Sequence, residues 1–398
     1  MAIQTLDATR SVSGAYAVDL SRGTTNHRVS SQWWNRPDDQ RYLNLDELHR
    51  ATFARAQTAR TEILDAKDIR VRASREDNER LELELPDGRL TTPTHWSFGQ
   101  LCSLVRAPAG YLRQLPATIA GINLQWGLSG YREEKVKAYT IDDDPSSVEL
   151  RAATGPDYGR IFDHEVVAAV RKIAGNGVGD TRWKVPGLLE GFGRYNPFVD
   201  VTKETTTLFA SDRDVFLFLV DDTHPIEIGK LPNGDPDLVF RGFYVWNSEV
   251  GARSFGIATM YLRGVCCNRI LWGVEGFQEI AVRHSKYAPD RFMLEAMPAL
   301  ESYANAATGR LLAGISAARE AVVARNDDER RDFLTNRGFS RKAAASIIET
   351  VVQEEGKAPE SVWDFVAGIT AAARKVGHQD ARLDMERQAG KLLDKVAA

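Results

Sequence analysis

Cysteine is scarce in these 398 residues, at three: Cys102, Cys266 and Cys267. They are too few for a disulfide framework, and a bridge between the neighbours Cys266 and Cys267 would be strained, so a reducing, cytoplasmic setting is expected. Long apolar runs are missing as well. No stretch of about 18 apolar residues occurs, and the amino terminus, MAIQTLDATRSVSGAY, has no basic flank leading into an apolar core; neither a membrane span nor an export signal is expected. Nor does one sign of charge prevail. Lysine and arginine total 51 against 55 acidic residues, a formal net charge of -4, which excludes the global basic footprint of a non-specific DNA binder. Any nucleic-acid contact has to be a local groove. Internal repeats and low-complexity tracts are absent.

What the chain does have is enough apolar side chain, 43% of residues, to bury real cores in two or three domains. Asn44, with Glu47 three residues later, opens a helix whose apolar positions Leu45, Leu48, Thr52, Ala56, Ala59 and Ile63 predict that it runs to about Leu64. IRVRA (69–73) and LELEL (81–85) alternate apolar and charged residues and predict a small sheet with one wet face, the second run ending in the turn Pro86-Asp87-Gly88. Ser97 with Gln100 reads as a second capping box, for a helix that stops near Ala107 before Pro108 starts a short helix through Tyr111 to Leu115. After a loop holding Asp142, Asp143 and Asp144, VELRAATG (148–155) reads as a strand. DHEVVAAVRKIAGNG (163–177) reads as a helix capped by Asp163 and stopped by Gly175. From about Thr205 to Gly273, VFLFLV, IEIG, LVFRGFYVW and SFGIATMYLRGVC predict four or five strands in one buried sheet. Beyond Asp290 the spacing turns helical, over Leu300 to Val322 and around 343–352, 362–376 and 383–393. The expected fold is α+β: an amino-terminal helical and small-sheet region (1–130), a central, mostly antiparallel sheet domain (131–290) and a helical carboxyl-terminal third (291–398).

The stretch NSEVGARSFGIATMYLRGVCCNRILWG (247–273) raises chemistry first. Zinc wants about four ligands in paired spacing, whereas the nearest histidine here is His284 and adjacent cysteines on a strand point to opposite faces, so no metal is expected. Arg263 and Arg269 would lower a thiol pKa, but no histidine base is near, and Cys266 and Cys267 read as structural. Gly175, Gly177 and Gly179 follow a helix rather than opening one, which makes a turn rather than a phosphate cradle. The carboxylate pairs Asp212/Asp214 and Asp221/Asp222 flank strands without an EF-hand pattern, and the seven histidines are scattered singly. No catalytic set and no cofactor is expected. What recurs is an aromatic beside a cation: Trp33, Trp34 and Arg36; Tyr158 and Arg160; Arg182 and Trp183; Arg241, Phe243, Tyr244 and Trp246; Tyr261 and Arg263. Single-stranded nucleic acid is held by such pairs, and a sheet core edged by arginine uses the same ones.

Five stretches, in order, resemble the phage/plasmid-like protein family classified as Domain of Unknown Function 932 (DUF932). They are VSSQWWNRPDDQRYLNLDEL (29–48), THWSFGQLCSLVRAPAGYLRQLP (94–116), LRAATGPDYGRIFDHEVV (150–167), the 247–273 stretch with its N-S-x-x-G and R-x-x-C-x-N patterns, and ITAAARKVGHQDARLDMERQAGKLL (369–393). One departure is Arg269, which follows Asn268 where comparable members carry glycine. The resemblance covers the chain from about Val18 onward. It implies a mobile genetic element of phage or plasmid type, a cytoplasmic home and a place beside replication and recombination genes, and no defined reaction.

The expected function is a non-enzymatic, nucleic-acid-associated accessory role, single-stranded DNA binding or support of recombination and replication, performed as an oligomer. Arg151, Tyr158, Arg160, Asn247, Arg253, Arg263 and Asn268 are expected to line a polar groove, because they interrupt apolar strands where a core would not tolerate them unpaired. The alternative expectation is a protein-interaction or structural factor, such as a modulator of host defence. There Arg253, Arg263 and the Asp212/Asp214 pair are internal salt-bridge partners and the helical third binds a protein. An enzyme using Cys266 or Cys267 is the third reading.

Overall fold

A computed structural model describes residues 36–75, 79–144, 147–186, 200–231, 234–264, 269–273, 279–376 and 379–397, and two sheets organise them into an α+β fold. The small sheet has six strands, in the order Ala59–Asp65, Lys135–Asp144, Ser147–Thr154, Leu90–Pro93, Leu81–Glu84 and Arg70–Ala73. All neighbours are antiparallel except Leu90–Pro93 beside Ser147–Thr154, which is parallel. The alternation of IRVRA and LELEL is realised directly: Val71 faces Leu83 in the core, while Arg72 and Glu82 pair across the wet face at 3.8 Å.

Asn44 caps its helix as expected, accepting from Glu47 N at 2.8 Å while Glu47 Oε2 accepts from Leu43 N at 2.8 Å. That helix, Leu45–Gln57, ends earlier than its spacing predicts. Ala59–Asp65 instead pairs residue for residue with Lys135–Ile141, and Ile63 ends on an edge strand, half exposed to solvent. The boundary expected near residue 130 falls inside this sheet, which draws strands from both sides of it. The next helix, His95–Leu104, is capped by Thr94, which accepts from Ser97 N at 3.1 Å, and not by Ser97. Gln100 is thereby free to tie the two sheets together: it donates to the Val250 carbonyl at 2.7 Å and accepts from Ala153 N at 3.0 Å.

The large sheet has nine strands. Its path runs Arg41–Tyr42, Leu208–Ala210, Val215–Asp221, Pro236–Asn247, Phe255–Arg263 and Arg269–Ile270, with Trp183–Lys184, Ile226–Lys230 and Glu279–Val282 pairing alongside. Six of these strands lie between 205 and 273, more than the four or five expected, because short pieces flank the long hydrophobic runs. Strand alternation divides the side chains. Leu217, Leu219, Phe243, Val245, Ile257 and Tyr261 join a core closed by the helices Asp163–Ala174, Met297–Ala304, Gly309–Glu320, Arg341–Glu355, Val362–Arg374 and Gln379–Ala397. Phe216, Phe218, Tyr244, Trp246, Met260 and Leu262 form a second, aromatic cluster on the opposite face. Gly256 stands directly across from Trp246, whose ring comes within 2.1 Å of where a Cβ would sit, so only glycine lets the indole lie over the neighbouring strand.

Candidate interaction site

Three of the seven residues expected to line a groove meet where the sheets join. Asn247, at the end of its strand, donates to the Ile161 carbonyl and to Asp163 Oδ1, both at 2.8 Å. Tyr158 stacks on His284 with ring centroids 5.0 Å apart and donates to the Ser248 carbonyl at 3.3 Å. The Arg160 guanidinium lies 4.3 Å from the Tyr139 ring centroid and 5.2 Å from that of Tyr158, and donates to the Glu249 carbonyl. Glu249 in turn accepts from Tyr139 OH and from Asp163 N, both at 3.1 Å. Asp163, expected as a cap, is the first residue of its helix and turns its carboxyl inward to this network. Burial, then the neighbouring Glu249, holds the Asp163 carboxyl well above the usual range. Burial also raises the Tyr139 and Tyr158 phenols and lowers Arg160 and His284. Such a network locks the 158–163 segment to the end of the large sheet.

The other expected residues serve separate tasks. Arg151 donates to the Asp212 carbonyl, and Arg253 lies 5.6 Å over the Trp246 ring. Arg263 is in a different cluster: Nε and Nη2 meet Asp237 at 2.9 and 3.0 Å, Nη1 meets Glu355, and Arg319 reaches the same Asp237 at 3.0 Å. Both guanidinium groups also stack on Trp363. Arg151, Arg160 and Arg263 are each at most 6% exposed and point onto carbonyls or carboxylates, not into a common open groove. Asn268 lies outside the described residues, as do Cys266, Cys267, Trp33 and Trp34. Nearby, Glu386 accepts from Arg269 Nε at 2.8 Å and from Arg382 Nε at 2.9 Å, all three fully buried; desolvation lowers Arg382 to about 10. Arg36 is buried against Asp214. The Cys102 thiol is buried and pushed up to about 12, the opposite of a nucleophile. Among the described residues no group of three or more His, Cys, Asp or Glu is placed to hold a metal ion.

The exposed surface carries a feature absent from the expectations. The helix Ala117–Ser129 follows Pro116 and ends at Gly130. It buries Ala117, Ala120, Gly121, Leu124 and Leu128 against the small sheet. Gln125 fixes it there, accepting from Val71 N at 2.8 Å and donating to the Ile69 carbonyl at 3.2 Å on the sheet's edge strand. Its opposite face presents Ile119, Ile122 and Trp126, at i, i+3 and i+7, which are 45%, 61% and 83% exposed. From Gln114 to Gly130 no residue is charged. A helix apolar on both faces gives no amphipathic period, so neither the helix nor its stripe is marked in the sequence. At its carboxyl end, Ser103, Leu104, Val105, Arg106, Tyr131 and Arg132 help to line a cleft of about 470 Å³. Arg106 holds a left-handed backbone there, φ 58°.

A second cleft, of about 400 Å³, lies between the helices Asp163–Ala174 and Met297–Ala304, and its walls include Ala169, Ile173, Trp183, Met293, Met297 and Pro298. A π-helical turn, Phe292–Ala296, contributes Met293 to this lining and leaves Met293 and Leu294 exposed. Among the described residues no helix is long and apolar enough to cross a membrane. No family model, curated protein or solved structure matches the chain.

Proposed function

We propose that the chain is a non-enzymatic protein-interaction factor that binds a protein partner through Ile119, Ile122 and Trp126. The observation that carries this reading is the exposed, uncharged stripe on a helix anchored to the small sheet. Interface cores are depleted in charge and enriched in aromatic residues, and solvent-facing apolar surface of this kind is uncommon without a partner. The inward engagement of Arg151, Arg160 and Arg263 supports the same reading, since it leaves these guanidinium groups to the fold. The resemblance to the phage/plasmid-like family supports an accessory role in a mobile element, and the few cysteines support a cytoplasmic setting.

Single-stranded DNA is the second reading, favoured by one observation. Gly127, next in sequence to the exposed Trp126, lines the first cleft with Arg106, Arg132 and Glu133, and single strands are held by aromatic stacking together with local cations. One experiment separates the two. The tagged chain is used to capture partners from nuclease-treated extract, with Ile122→Arg as control, and filter binding to single-stranded DNA is run at low salt. The protein reading expects a nuclease-resistant partner that the variant loses, and no DNA retention. Loss of every partner on nuclease treatment, with salt-dependent retention abolished by Arg106→Glu and Arg132→Glu, would overturn it.

A further inference from the structure

The second cleft shares no lining residue with the first cleft or with the stripe, and it joins apolar walls to fixed and free charges. We infer that it binds a small organic carboxylate with a flat apolar body, of the size and kind of 3-phenylpropionate. This goes beyond the reading of the stripe and does not depend on it.

The apolar walls select the body of the ligand. The cleft's volume of about 400 Å³ lies within the ~300–1,000 Å³ of pockets that hold small molecules, which are mostly apolar with a few placed polar groups. Trp183 is buried, and Phe243 meets its ring edge-on at 4.9 Å, which fixes the indole in the wall. Met293 and Met297 offer thioethers, which pack well against aromatic edges and adapt their shape to them. A planar hydrocarbon ring suits these walls, whereas a sugar would leave hydroxyl groups unpaired against them.

The polar groups select the head. Arg182 is held in place by Asp221 at 2.6 Å, by the Ala304 carbonyl at 2.6 Å and by Asn305 Oδ1 at 3.3 Å, so three of the five N–H groups of its guanidinium are engaged and two are left for a ligand. Asn305 is itself fixed, donating to the Glu301 carbonyl at 3.0 Å. Lys172 is exposed and has no ion pair among the described residues. Its ammonium and the two remaining guanidinium N–H groups suit a carboxylate, which takes charge-assisted hydrogen bonds from both. Asp221 offsets Arg182, so the one cation of the lining without a counter-charge is Lys172, which matches a single negative charge. Glu301, on the facing helix and likewise without an ion pair, repels a second one.

Titration calorimetry of the full chain at neutral pH tests this with four probes: 3-phenylpropionate, acetate, phenethylamine and phenyl phosphate. Saturable binding of 3-phenylpropionate is expected, with a dissociation constant of roughly a millimolar or below, the range open to a ligand of this size. Acetate lacks the ring, phenethylamine carries the wrong charge and phenyl phosphate carries one charge too many; each is expected to bind at least about tenfold more weakly. Lys172→Gln should weaken 3-phenylpropionate about tenfold, the loss of one hydrogen bond to a charged group. Met293→Glu, which adds a negative charge to the apolar wall, should abolish binding, and Glu301→Gln should close the gap between phenyl phosphate and 3-phenylpropionate. All three positions are exposed, and an unchanged urea midpoint checks that each variant folds. No saturable heat from 3-phenylpropionate up to about 10 mM, equal binding of acetate or phenethylamine, or an affinity that neither Lys172→Gln nor Met293→Glu changes would each overturn the inference. A gap for phenyl phosphate that persists in Glu301→Gln would overturn the selection of a single charge.

Discussion

Replacing Arg263 by methionine distinguishes a guanidinium that holds the fold from one that binds nucleic acid. The side chain is 5% exposed and meets Asp237 through two nitrogens at 2.9 and 3.0 Å, and Glu355 through a third. Orphaning a buried charge costs about 3–5 kcal/mol. Here the loss is smaller, because Asp237 keeps Arg319 at 3.0 Å and Glu355, 22% exposed, regains water. We expect about 2–3 kcal/mol. At a urea m-value of about 3 kcal/mol per M this lowers the unfolding midpoint by roughly 0.7–1 M. Asp237→Ala goes further, since Arg263 and Arg319 then both lose the carboxylate they share, and is expected to reach about 3–5 kcal/mol. In neither variant should single-stranded DNA retention change. A midpoint for Arg263→Met within roughly 0.2 M of wild type, or a salt slope reduced by about 1, would refute the assignment of this arginine to the fold.

Asp163 has a folded-state carboxyl above its ordinary value of 3.8, so the native state keeps a proton that the unfolded chain releases. Its contribution is fully present at low pH and is lost as pH rises through the folded value. Asp163→Asn, which still accepts from Asn247, should therefore gain on wild type in thermal midpoint as pH rises from acid to neutral; parallel curves would count against the buried-carboxyl account. Gly256→Ala drives a methyl into the Trp246 ring, and should cost about 1–3 kcal/mol in urea unfolding, with a change in tryptophan emission. Gln125→Ala strips partners from Val71 N and the Ile69 carbonyl. A loss of about 1–2 kcal/mol is expected, with faster amide exchange at Val71 and unchanged exchange in Leu217; uniform acceleration would point to general unfolding instead.

Local and periodic features were legible in the residues alone. The Asn44 cap, the alternation of 69–73 with 81–85, the Gly175 stop and the carboxyl-terminal helices Arg341–Glu355 and Val362–Arg374 depend on neighbours in sequence, and they stand where the spacing puts them. Features decided by distant partners were not. The helix from Leu45 stops at Gln57 because 59–65 finds a strand at 135–141, a pairing that no local period encodes. Arg263 and Arg269 drew notice as polar residues in apolar strands, but their acceptors Glu355 and Glu386 lie 92 and 117 positions away. A guanidinium looks the same in sequence whether it faces a phosphate or a buried carboxylate. The stripe was hidden for the opposite reason: apolar residues lie on both faces of the helix, and only the structure shows that Leu124 and Leu128 fill the core while Ile119, Ile122 and Trp126 face solvent.

The central claim, that the chain acts through its uncharged stripe while its buried arginines hold the fold, is tested most directly by putting a photoreactive benzophenone side chain in place of Trp126. Irradiation in nuclease-treated extract is predicted to give protein crosslinks that Ile122→Arg abolishes and that the same group at the exposed Arg325 does not give. Crosslinks to nucleic acid alone in untreated extract, or equal protein yield from both positions, would contradict it.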